Sequence, residues 1–153
     1  MSWWVARAEL VVSEEVPAPP DRVREFYVDL DNLGLVHPLI VSVEALSRDD
    51  TADGYSQSYR VTDRIPLGPL TMRMTYHARL HVPDRGDVRT EADQSPGVRL
   101  RGTVSFDPVA GGTRVTERIR ISAPRPLLAV TAREAVKAHA AMLAGIRRHF
   151  EDG

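Results

Sequence analysis

Between residue 40 and about residue 122 stretch after stretch places apolar side chains at every second position, with turn residues between them, and a single long amphipathic helix then closes the chain. Alternation sustained over that length is satisfied by strands whose successive side chains point to opposite faces, one buried and one wet. Residues 70–82 show it best. Leu70, Met72, Met74, Tyr76, Ala78, Leu80 and Val82 share one phase, and Thr71, Arg73, Thr75, His77, Arg79 and His81 share the other. In residues 55–63 the inward phase holds Tyr55, Gln57, Tyr59 and Val61. Strands are also expected over 40–46, 87–94 and 98–106, with "IPLGPL", "SPG" and "DPVAGG" as turns.

The last strand, within "GGTRVTERIRISA" (residues 111–123), carries an irregularity. Val115, Ile119 and Ile121 point one way and Arg114, Thr116, Arg118 and Arg120 the other, yet Glu117 falls in the apolar phase. Either the interior accepts a carboxylate, or a bulge or strand end turns Glu117 to solvent.

Ahead of these strands, residues 6–16 alternate as an opening strand, and "PAPPD" stops it. Val23, Phe26, Tyr27 and Leu30 then repeat at helical spacing and predict a short helix. A second helical turn runs to "VHPL", where Pro38 forces His37 out of the helical region. The closing helix is expected over 127–151. With His139 at zero and 100° per residue, Leu128, Ala132, Ala135, Leu143, Ile146 and Phe150 lie within about 40° of it, and Val136 and Met142 at about 60°. A histidine therefore centres the apolar stripe. These elements predict an α+β fold in which a curved antiparallel sheet wraps a long C-terminal helix, with two short helices after the first strand.

The 153 residues suit one domain spanning 1–153, large enough to enclose a cavity. Cysteine is absent, which excludes disulfides, thiol nucleophiles and cysteine-ligated metals. Lys137, the single lysine, lies on the polar side of the helix and is expected to be solvated. No apolar run is long enough to span a bilayer and no signal-peptide pattern opens the chain, so a cytoplasmic location is the default expectation. A net charge of −1 gives no bulk pull toward nucleic acid or anionic lipid. No GxGxxG, Walker, HExxH or GxSxG motif occurs and no spacing resembles a metal site, so neither cofactor nor metal is expected.

"VPAPPDRVREFYVDLDNLGLVHPLIVSVEAL" (residues 16–46) and "GGTRVTERIRI" before the closing helix resemble the START-like group, also termed SRPBCC, of polyketide cyclase/dehydrase and lipid transport proteins. The resemblance covers essentially the whole chain and implies the helix-grip fold. That group commonly places an aromatic residue before the His-Pro pair, whereas this chain has Val36.

A dry core cannot accept every inward residue, because each unpaired buried polar group costs roughly 1–3 kcal/mol and a lone charge more. A mostly apolar pocket with a few polar groups is therefore expected between sheet and helix. Its predicted lining is Gln57, Tyr59, Met72, Met74, Tyr76, Gly102, Glu117, Ala135, His139 and Met142. The expected ligand is a hydrophobic small molecule such as a lipid, isoprenoid or aromatic polyketide. The alternative, implied by the resemblance, is a cyclase or dehydratase with Glu117 as base and His139 or Tyr76 as donor. The bland readings are a satisfied core histidine at 139, space-filling tyrosines, and a turn residue at His37.

On the outward face, Arg60, Arg73, Arg79, Arg99, Arg101, Arg114, Arg118 and Arg120 form by default a solvated surface balanced by acids such as Glu91 and Asp93; the alternative is a patch for an acidic partner, a carrier protein or nucleic acid. Trp3 and Trp4 either cover an open end of the sheet or join a homodimer contact.

Overall fold

The computed structural model describes residues 4–152, without the side chains of Pro66 and Leu67. Trp3 lies outside the described residues. The order is β1 (Val5–Val16), α1 (Pro20–Tyr27), α2 (Leu30–Val36), β2 (Ile40–Thr51), β3 (Gly54–Leu67), β4 (Leu70–Pro83), β5 (Val88–Gln94), β6 (Val98–Val109), β7 (Gly112–Pro124) and α3 (Arg125–Asp152). This is the expected helix-grip arrangement. The strands form one seven-stranded antiparallel sheet in the order β1-β7-β6-β5-β4-β3-β2. Several strands run beyond the alternation read from sequence, β2 to Thr51 and β3 to Leu67.

β7 settles the opening irregularity. It pairs with β1 and β6 in unbroken register, Glu117 opposite Val12 on one side and Val104 on the other. No bulge shifts the phase, and Glu117 is 2 % exposed.

The interior has two characters. At the end covered by α1, Val16, Val23, Val88, Val104, Val115, Leu143 and Ile146 are packed to near-complete burial. Further along, α3 lies chiefly on β1 and β7 and against α2. There the inward residues of β4, β5 and β6, including Tyr76, Ala78, Ala92 and Leu100, stay partly exposed. The first half of α3 packs Leu128, Ala132 and Ala135 against Val98, Ile119 and Ile121.

Three tethers place the short helices. The buried Thr113 hydroxyl donates to the Ala18 carbonyl at 2.7 Å, fixing the link from β1 to α1. Arg24 donates to the carbonyls of Pro83 and, at 3.2 Å, Gly86, holding α1 against the turn after β4. The Asn32 amide donates to the Phe26 carbonyl at 3.3 Å and closes the corner between α1 and α2. Asp29 caps α2 by accepting from the Asp31 N–H at 3.0 Å.

Gly145 permits a closer approach. A Cβ built there would lie 2.8 Å from the Cβ of Val36, so α2 rests directly on the α3 backbone. No described helix is long and apolar enough to cross a membrane.

Candidate functional site

The site assembles on α1, the end of α2, β3, β4, β7 and α3. Tyr27, at the end of α1, donates its hydroxyl to Oε2 of Glu117. The other carboxylate oxygen, Oε1, lies 3.0 Å from Nδ1 of His139. Both oxygens of the buried acid are thereby engaged, as an interior carboxylate requires. Sequence periodicity placed Tyr27 in an apolar stripe. Its ring does fill that role, meeting Phe106 edge-on at 5.7 Å, while its hydroxyl serves Glu117.

Burial alone would raise the pKa of Glu117, but the His139 charge and the hydrogen bonds from His139 and Tyr27 outweigh it, and the net shift is downward. For His139, burial pulls the other way. The charge and hydrogen bond of Glu117 overcome it, so the imidazole's pKa is raised, and Asp63 adds to this. Both shifts favour the charged forms, so the two groups stabilise each other as an ion pair. Burial, with the charge and hydrogen bond of Glu117, pushes the Tyr27 phenol well up, so it remains a donor.

His37 caps α2 with an extended backbone and also belongs to the site. Its ring meets that of His139 edge-on at 5.8 Å between centroids. Burial first, and repulsion from His139 second, lower its pKa to about 4 despite the opposing pull of Glu117. Its Nδ1 accepts from the Leu39 N–H at 3.2 Å, so the neutral ring carries its proton on Nε2. The turn-residue reading of His37 describes its backbone, and the ring contact adds a second role.

A second acid was not read from sequence. Asp63 on β3 is 9 % exposed and accepts from the Tyr76 hydroxyl at 3.5 Å. Burial raises its pKa to about 6, only partly offset by Tyr76 and by the His139 charge. Burial and the Asp63 charge push the Tyr76 phenol up. Asp63 continues the inward phase of Tyr59 and Val61, and β3 runs on to Leu67, past the end of the strand expected from sequence.

The other expected lining residues divide. Tyr59 and Met142 are buried and Met74 and Ala135 partly so, whereas Met72 is 45 % exposed toward the β3–β4 hairpin. The Gln57 amide donates to the carbonyls of Ser47 at 3.0 Å and Ser58 at 3.3 Å, next to a register shift in β2, so its donors are held by backbone. Gly102 makes room for protein: a Cβ there would stand 2.5 Å from the Thr90 hydroxyl. Hollows of about 410 and 380 Å³ lie beside Val16 and Phe150 and beside Arg24 and Tyr55, and neither is lined by Glu117 or His139. On the outward face, Arg60–Glu44 at 2.5 Å, Arg101–Asp93 at 3.0 Å and Arg114–Glu15 at 2.9 Å form exposed ion pairs.

Chemically, Glu117 holds His139 charged and oriented through Nδ1, which leaves Nε2–H as the ring's second donor, on a side chain 22 % exposed. His139 with its raised pKa, the neutral His37 ring and a carboxyl titrating near pH 6 thus lie in one cluster, with the partly exposed Tyr76 on Asp63.

Residues 7–151 match the family described as polyketide cyclase / dehydrase and lipid transport. No curated protein matches the chain in sequence. Among solved structures, TTHA0849 from Thermus thermophilus is similar at a TM-score of 0.77 and 20% identity, over 95% of this chain and 98% of that one. The STAR-related lipid transfer protein fragment from Xanthomonas axonopodis gives 0.65 and 19%, over 99% and 96%. The ZhuI aromatase/cyclase from Streptomyces sp. R1128 gives 0.66 and 19%, over 96% and 94%. At these identities the likeness is one of fold.

Proposed function

Because the chain belongs to the polyketide cyclase / dehydrase and lipid transport family, we propose that it holds a hydrophobic small molecule, a lipid, isoprenoid or aromatic polyketide, against the inner face of the sheet beside α3. The observation that carries this reading is the Tyr27–Glu117–His139 chain, a buried, fully engaged polar group at the boundary between packed core and accessible inner face. Apolar area removed from water supplies affinity at about 25 cal/mol per Å², and the polar groups fix orientation. Native mass spectrometry of protein purified without denaturation tests it. A co-purifying apolar compound is expected, with shifts of the Met74 and Met142 methyl resonances when it is removed; an empty protein whose methionine methyls ignore every apolar compound refutes the reading.

The ion pair itself favours a second reading, cyclase or dehydratase chemistry on a polyketide-like substrate. Both Glu117 oxygens are occupied, so the geometry suits His139 Nε2–H as the donor to a carbonyl oxygen, with Glu117 as its orienting partner rather than as free base. Glu117→Gln separates the two readings. A carrier keeps most of its ligand affinity, whereas a cyclase loses turnover.

A further inference from the structure

Asp63 is a buried carboxylate that the protein answers weakly. Among the described residues, its one side-chain hydrogen bond comes from Tyr76 at 3.5 Å, the far limit of such a bond, and no Lys, Arg or His nitrogen lies within 4 Å. Glu117, by contrast, has a hydroxyl and an imidazolium. The charge count follows. Glu117 and His139 cancel and His37 is neutral, so at neutral pH Asp63 leaves the cluster one negative charge in excess.

The surroundings of Asp63 are also unfinished on the donor side. Met74 faces it across the β3–β4 register, and the Met74 sulfur receives the Gln94 amide at 2.9 Å. A thioether is a weak acceptor, so this amide can be redirected to a ligand oxygen at little loss. Tyr76, Met74 and Gln94 are all partly exposed, and each can adjust.

We propose that Asp63 and Tyr76, with Gln94 beside them, form a second polar subsite that takes a hydrogen-bond donor of the bound molecule, a hydroxyl or an ammonium, and turns away free carboxylates. This rests on the hydrophobic-ligand reading above and specifies what that ligand carries. A donor at Asp63 supplies the strong partner the carboxylate lacks, whereas a carboxylate there meets an uncompensated like charge in a poorly solvated place.

The test uses four probes with one apolar body: 2-methylnaphthalene, 2-naphthol, 2-naphthylmethylamine and 2-naphthoate, titrated calorimetrically at pH 7.5 into the unmodified protein and into Asp63→Asn. At least one donor probe is expected to bind about tenfold more tightly than 2-naphthoate, the two donor arms telling hydroxyl from ammonium. In Asp63→Asn that advantage shrinks about tenfold while 2-methylnaphthalene binds unchanged. Should 2-naphthoate bind the unmodified protein as well as both donors, the subsite is refuted whether or not the variant folds. Preference surviving in a folded Asp63→Asn refutes it equally. If 2-methylnaphthalene and all the others fail to bind, the hydrophobic-ligand reading falls, and the subsite with it.

Discussion

His139 Nδ1 stands 3.0 Å from Oε1 of Glu117, joining the middle of α3 to the middle of β7 through a carboxylate that is 3 % exposed. An ion pair this deep gains little net stability over an apolar substitute, but removing one partner leaves the other charge stranded.

Glu117→Gln is therefore expected to lower unfolding free energy by about 3 kcal/mol at pH 6 in chemical denaturation. The sign with pH follows from the two shifts. The raised pKa of His139 contributes stability that is full below its ordinary value near 6.5 and is lost as pH rises through its folded value. The depressed pKa of Glu117 contributes above 4.5 and is lost as pH falls through its folded value. In the variant, burial acts on His139 without opposition from Glu117, and its pKa, followed by NMR of the ring C–H, should drop below the ordinary value.

Tyr27→Phe keeps the ring between Phe106 and the core but removes a donor to a buried charge. A loss of about 2 kcal/mol is expected, with the Glu117 pKa moving upward. Unchanged thermal and denaturant midpoints would contradict this assignment.

Asp63 and His37 are expected to hide each other's pH dependence. Asp63, raised to about 6, contributes stability that is full below 3.8 and lost as pH rises through about 6. His37, lowered to about 4, withdraws stability as pH falls from 6.5 through about 4. Between pH 4 and 6 the two slopes oppose. Asp63→Asn should unmask a climb of about 2 kcal/mol over that window and His37→Gln a comparable fall, both discounted for partial exposure. Parallel stability profiles for the variants and the unmodified protein would show that neither group is perturbed.

Gly145→Ala pits two effects against each other. Alanine gains up to about 1 kcal/mol in helix propensity, while its Cβ meets the Cβ of Val36 at 2.8 Å and the Val36 carbonyl oxygen at 3.3 Å. Neither contact can rotate away, because one is a β-carbon and the other backbone. Overpacking of about 1–3 kcal/mol should win, with net destabilisation and a shifted His37 ring resonance, since His37 follows Val36 directly.

Much of the site could be read from periodicity. Alternation in β7 aimed Glu117 inward, and the α3 stripe centred on His139; both follow from local geometry, because a strand or helix dictates direction from spacing alone. Tyr27 escaped because a phenol satisfies an apolar pattern as well as a phenylalanine does. Asp63 escaped because a carboxylate near an expected strand end signals a turn, and only the continued pairing with β4 as far as Leu67↔Leu70 keeps it on the inner face.

By itself, then, the sequence determined the order of elements, the faces of the strands and helices, and the presence of an acid and an imidazole on facing surfaces. Tertiary structure alone decided that Tyr27 and His139 share one carboxylate, that His37 meets His139, and that Asp63 has, among the described residues, a single distant phenol. The reason is physical: periodicity encodes which way a side chain points, whereas the partner it finds depends on how far α3 leans along β1 and β7 and how closely Gly145 lets α2 approach.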